Sequence, residues 1–185
     1  MGTWQALVNQ PTFNADTMLM LTDGTVMCHE LDSPNWHRLN PDSSGSYVNG
    51  FWSPLSPLLP DPDIPPSLGG PTYAPLYFAS AVLADGRVFV SGGEVNAGHK
   101  DADVTSTQIY DPVSDSWRAI FPPPGFDQVG DAPSCVLADG RVLIGNINYV
   151  AGDTLPPAAI LDPRTLNWRP AFGKAEALRR TRATP

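Results

Sequence analysis

Cysteine is almost missing from this sequence of 185 residues. Cys28 and Cys135 are too few for a disulfide-stapled scaffold, and both are expected as buried thiols. Histidine is nearly as scarce. His29, His37 and His99 show no ligand spacing, and Cys28 and His29, as neighbours in a strand, would point to opposite faces rather than share an ion. Charge is thin as well, at 16% of residues, and its balance is negative at −8. That sign argues against nucleic acid or an anionic membrane as partner. No apolar run approaches the roughly 20 residues that a membrane span needs. The opening stretch MGTWQALVNQPTF has neither the basic nor the apolar region of a signal peptide, and Ala6 breaks the myristoylation pattern. Neither G-x-x-x-x-G-K-[ST] nor G-x-S-x-G occurs, so the phosphate loop and the serine-hydrolase elbow are both missing.

What is abundant is proline and glycine, 21 and 16 residues, about one position in five. Helix interiors tolerate neither, so this density favours short strands joined by turns. The heptapeptide VLADGRV occurs at 82–88 and again at 136–142, with a weaker copy, MLTDGTV, at 20–26. The three Asp-Gly pairs stand 62 and 54 residues apart, each between apolar β-prone runs. Asp-Gly in that setting predicts a hairpin with a type I′ turn, which needs positive φ at both central residues. A second mark follows the last two hairpins: IYDPVSDSW at 109–117 and ILDPRTLNW at 160–168, with Asp-Pro six residues before Trp in both. Trp52 closes a degraded version of it, and the Trp markers at 4, 52, 117 and 168 recur at 48, 65 and 51 residues.

Each repeat is therefore four short strands, a to d, at a period near 50, which is the pattern of a propeller blade. On these residues, together with the diglycine Gly92-Gly93 and the lone Gly145, the chain resembles kelch-repeat proteins. The resemblance implies an all-β, kelch-type β-propeller with three four-stranded blades at 16–56, 77–121 and 131–172. An isolated d-type strand at 4–8 would precede them. Propellers close with about four to eight blades, so three leave the ring incomplete and two sheet faces open to self-association. Residues 1–172 form one domain, and the basic tail 173–185 is expected to be disordered.

Strand alternation puts the a–b and c–d turns on one rim and the b–c and d–a connections on the other. The first class is expected to be tight. The second is long and irregular, at 53–76, 94–106, 122–130 and 146–156, and long loops on a shared rim are where binding sites lie. The ligand-binding candidates are thus Tyr77, Glu94, Asn96, His99, Asp131, Asn146, Asn148 and Tyr149. The proline-rich stretch 53–77 offers P-x-x-P arrangements such as Pro57–Pro60, and its ordinary reading is a stiff connection between blades. The D-x-D pairs Asp61/Asp63 and Asp101/Asp103 could in principle hold calcium, but read as solvated loop acids.

The stretch LYFASAVLADGRVFVSGGE is similar to one blade of the galactose oxidase-like copper-radical oxidases. In that family a tyrosine eight residues before the Asp of the turn carries the radical, and Tyr77 stands eight before Asp85. The family cross-links that tyrosine to a cysteine whose place falls here near Thr17, and its copper histidines lie on blades absent from this sequence. The expectation is accordingly a non-catalytic binding or scaffold module with a protein or carbohydrate ligand and no cofactor. The alternative is a fragment of a copper-radical oxidase, inactive without its missing blades.

Overall fold

The computed structural model describes residues 3–150, 154 and 156–172, so the expected tail at 173–185 lies outside the described residues. The first sheet runs in chain order through β1 (Ala15–Met20), β2 (Val26–Glu30), β3 (Trp36–Asn40) and β4 (Phe51–Leu55). A two-stranded ribbon pairs β5 (Pro75–Leu76) with β8 (Val95–Asn96). The second blade is β6 (Ala79–Val82), β7 (Val88–Ser91), β9 (Thr107–Asp111) and β10 (Ser116–Ile120), neighbours pairing in that order. The third is β11 (Ser134–Val136), β12 (Val142–Gly145), β13 (Ala158–Asp162) and β14 (Asn167–Ala171). Every pairing is antiparallel, and the ribbon excepted, the result is three blades of four strands. β6 lies beside β1 on one side and β11 on the other, so the first strand of each blade is innermost.

The Asp-Gly hairpins form, but with a different turn. Gly24, Gly86 and Gly140 have φ of 83°, 87° and 83°, whereas Asp23, Asp85 and Asp139 do not enter positive φ. The Gly24 N–H donates to the Leu21 carbonyl and the Leu21 N–H to Thr25, a pattern repeated at Leu83 and Leu137. That is a three-residue loop, a type I turn followed by one left-handed glycine, not type I′. The aspartate stabilises it by accepting the backbone N–H two residues on, Thr25 at 2.9 Å, Arg87 at 3.2 Å and Arg141 at 3.2 Å.

Two apolar layers hold the blades together. Between blades one and two lie Met27, Trp36, Val88, Val90, Tyr110 and Trp117, all buried. Between blades two and three lie Phe89, Ile109, Val142, Ile144, Ala159 and Leu161. Alternate residues of β7 thus serve opposite layers, which is why its sequence, VFVS, is apolar without alternation and buried throughout. The proline-rich segment belongs to the first layer too, contributing buried Leu58, Ile64 and Tyr73, so it is core as well as connection.

Each repeat's marker tryptophan occupies the second position of its outer strand and donates its indole N–H to a backbone carbonyl far away in sequence, which for Trp117 and Trp168 is on the chain leaving the preceding blade. Trp117 Nε1 reaches the Ser56 carbonyl at 2.8 Å and Trp168 Nε1 the Phe121 carbonyl at 2.7 Å. Trp52 Nε1 reaches Asn9 at 3.1 Å, so Asn9 takes the place that Ser56 and Phe121 take further on. The preceding residues 4–8 nevertheless form no strand, contrary to expectation: Trp4 is fully exposed, and among the described residues no strand pairs with them. Their backbone makes one long-range bond, Val8 N–H to the Val48 carbonyl at 2.7 Å. A strand without a ladder partner leaves its groups to water.

Two further expectations need correcting. Cys28 is buried but Cys135 is exposed, because its cross-strand row through Leu143, Ile160 and Arg169 faces away from blade two. Blade one also inverts the loop rule: residues 31–35 joining β2 to β3 are short, and the long connection, 41–50, joins β3 to β4.

Replacing Trp117 with Phe removes one part-buried inter-blade hydrogen bond and leaves the Ser56 carbonyl without that donor. Urea unfolding should show a loss of about 1–3 kcal/mol. An unchanged midpoint would mean that the indole N–H does not fasten the blades.

Candidate functional site

The rim opposite the Asp-Gly turns is built on loops that side chains lock in place. Asn96 is fully buried, and its amide spans the proline-rich segment: Nδ2 donates to the Leu68 and Thr72 carbonyls at 2.8 and 3.0 Å, and Oδ1 accepts the Ala74 N–H at 2.9 Å. Gln108 does the same lower down, exchanging two bonds with the Leu59 backbone at 2.9 and 2.8 Å. Asp61 accepts the Ser106 hydroxyl and caps the Asp63 N–H. The Tyr73 hydroxyl lies 2.8 Å from the Gly92 carbonyl and 3.2 Å from that of Ser106. Burial, with the Asp61 charge nearby, pushes that phenol well above its usual range, so Tyr73 is a structural donor.

The diglycine fixes where blade three enters the rim. Gly92 and Gly93 have φ of 82° and 138°. A Cβ on Gly92 would stand 2.5 Å from Val129 Cγ1, and one on Gly93 would stand 2.7 Å from Pro75 Cβ. Only bare backbone allows these segments to approach so closely.

All eight sequence-derived candidates stand on this rim, and the structure divides them. Asn96 and Asn146 serve the loops. Asn146 donates to the Pro156 carbonyl at 3.1 Å while its Oδ1 accepts the Asn148 N–H at 3.0 Å. Asn148 in turn donates to Gln128 Oε1 at 2.7 Å. The Glu94 carbonyl accepts the Ala102 and Asp103 N–H groups, leaving its carboxylate half-buried at the surface. Tyr149 is half-buried, and His99 and Asp131 are exposed. Tyr77 is 63% exposed and held at φ 54°, an uncommon conformation for a bulky side chain.

The acids at this end form a group that the sequence offered only as separate pairs and single residues. Asp101, Asp103 and Asp131 stand close enough to interact. Burial raises the Asp103 carboxyl above its usual range, and the charges of Asp101 and Asp131 raise it further. A cavity of about 230 Å³ beside them is lined by Asp61, Asp63, Asp103 and Asp127 among others. The D-x-D spacing was the available signal, but spacing alone could not show that a loop from blade one meets one from blade two. Among the described residues, no three His, Cys, Asp or Glu side chains are arranged to hold a metal ion.

Elsewhere, His29 is fully buried, with Nε2 2.8 Å from the Ser33 carbonyl and Nδ1 3.5 Å from Asp16 Oδ2. Burial lowers its pKa. Cys28 is also buried, and burial pushes its thiol up to about 11, the opposite of an activated nucleophile. A second groove of about 500 Å³ shares Asp61 and Asp63 with the acid-lined cavity and follows the outer strand of blade two past Arg118 to Leu166.

No family model matches this chain, and no curated protein does. Solved structures do. A fungal alcohol oxidase of the AA5 family, in complex with copper, is similar with a TM-score of 0.56 at 14% identity, over 91% of this chain and 32% of its own. YjhT is similar with a TM-score of 0.58 at 17% identity, over 91% of this chain and 54% of its own. The chain thus spans about a third and about half of these two proteins. At such identities the likeness establishes the fold, an all-β propeller whose ring is unclosed in this chain.

The acid group carries a pH signature. With the Asp103 carboxyl raised in the fold, the folded chain binds that proton more tightly than the unfolded chain does. Stability is therefore lost as pH rises through the folded value. Asp103→Asn should raise the urea midpoint at neutral pH and leave it unchanged below the carboxylate range, where both forms are uncharged. The left-handed backbone at Asp103, φ 42°, also suits asparagine. A variant no more stable than the parent at neutral pH would remove the acid group as a source of strain.

Proposed function

We propose that this chain is a non-catalytic kelch-repeat binding or scaffold module that holds a protein or carbohydrate ligand on its long-loop rim. One observation supports this most: the loops are fixed from within by Asn96, Asp61 and the diglycine, while Tyr77 is left 63% exposed beside them. An ordered rim with an outward aromatic suits recognition, because little loop entropy is lost when a ligand binds. The surrounding carboxylates add a negative field that favours a ligand with basic or hydrogen-bond-donating groups.

A second reading draws on the alcohol oxidase neighbour and on the position of Tyr77 relative to Asp85: a fragment of a galactose oxidase-like copper-radical oxidase, inactive without further blades. The residues at hand do not fit a copper centre. Thr17, near the family's cysteine position, bonds Asp16, and the three histidines lie apart: His29 buried, His37 paired with Glu30, His99 exposed. Copper(II) needs several N and O ligands in fixed geometry.

A screen of immobilised oligosaccharides and proteins should find a saturable ligand whose affinity falls about tenfold or more in Tyr77→Ala and Glu94→Gln, as loss of a central contact does. Binding unaffected by both changes would overturn the rim assignment, and stoichiometric copper uptake would favour the oxidase reading. Self-association through the open blade faces belongs to the same proposal, and a monomer mass by light scattering at high concentration would remove it.

A further inference from the structure

The three outer strands are not equally protected. β4 and β14 each carry a proline two residues after the marker tryptophan, Pro54 after Trp52 and Pro170 after Trp168. Proline is tolerated inside an edge strand where its missing N–H would have faced outward, and there it blocks the addition of another strand. In β10 the equivalent residue is Ala119. Its N–H, by the same register, faces outward and can donate. Of the three outer strands, β10 is also the one that the 500 Å³ groove follows, with residues 118–122 lining it.

The rest of the groove suits a strand better than a sugar. The hydroxyls of Ser106 and Thr107 and the amide of Gln108 are spent inside the fold, on Asp61, Ser91 and Leu59. What remains is the backbone edge, an apolar wall that includes Phe121, itself 86% exposed, the exposed guanidinium of Arg118 midway, and the carboxylate of Asp63 at the rim end. We propose that β10 takes an extended peptide segment of a partner protein as a fifth strand of blade two. Main-chain hydrogen bonds would supply the affinity, and a basic side chain would lie toward Asp63. The chain's charge of −8 favours the same partner. This site meets the loop rim at Asp61 and Asp63 but uses neither Tyr77 nor Glu94, and it does not rest on the rim's assignment.

The probe is a fluorescein-labelled hexapeptide of alternating valine and lysine, followed by anisotropy. It should bind saturably, and Ala119→Pro should weaken it about tenfold, the worth of one main-chain bond. That variant copies what β4 and β14 already contain, and a thermal melt checks that it folds. The same peptide with N-methylated valines tests the main-chain bonds from the ligand side and should also bind about tenfold more weakly, independently of any change in the protein. A glutamate counterpart should bind poorly, and Tyr77→Ala should bind the lysine peptide like the parent. Binding that survives both Ala119→Pro and N-methylation would be general charge attraction and would overturn the proposal. So would displacement of the peptide by an equal concentration of a linear hexasaccharide, which would assign the groove to carbohydrate.

Discussion

The bonds from Trp117 and Trp168 to the chain leaving the preceding blade are the contacts on which the stacking of these sheets depends. An apolar layer alone is non-directional and would let neighbouring sheets slide and rotate. The indole N–H adds one directional bond at the outer edge, between blades at Trp117 and Trp168 and to the segment before blade one at Trp52. Trp117 also packs against Trp36 and Tyr110, at centroid distances of 5.8 and 5.0 Å, so the same side chain fills the layer and fixes its register.

Once the blades are fixed, the loop rim follows. The segment after β4 must cross from the outer edge of blade one to the inner strand of blade two, and it does so as core, through Leu58, Ile64 and Tyr73. Its backbone groups then need partners: Gln108 and Asn96 reach in from blade two, and Asp61 of the segment itself accepts the Asp63 N–H. The turn rim is tied more simply. Arg87 and Arg141 pair with Asp85 and Asp139 of their own turns, and Arg87 also reaches the Pro163 carbonyl of blade three. The repeated DGR is therefore a structural device on the rim away from the binding candidates.

The blade pattern was legible because it is local: a turn, its flanking strands and a tryptophan at fixed spacing fit within one repeat. Even there the turn differs from the expected type I′, since Asp-Gly suits both that turn and a type I turn with a left-handed glycine. What escaped was set by residues distant in sequence. Asn96 is a plausible ligand contact on a loop until Leu68, Thr72 and Ala74 are seen around it. Cys135 reads as buried until its row proves to face away from blade two. The meeting of Asp61 and Asp63 with Asp103 and Asp127 joins loops of two blades, which no spacing encodes.

The two outward sheet faces are not equivalent, and this bears on how the unclosed ring is tolerated. On blade one, Phe13 stacks on His37 at a centroid distance of 3.7 Å and meets Trp52 edge-on at 5.1 Å. Asn9 Nδ2 donates to the Gly50 carbonyl at 2.7 Å, and the Leu31 N–H donates to Asn14 at 2.9 Å. The segment before β1 thus covers part of that face without forming a strand, and Cys28 beneath it is fully buried. Blade three offers its row of Cys135, Leu143, Ile160 and Arg169 instead, half-buried at its centre and exposed at Cys135. The segment before β1 covers apolar area of blade one, and Pro54 guards its outer edge, so that blade is shielded on its face by packing and at its outer strand by proline.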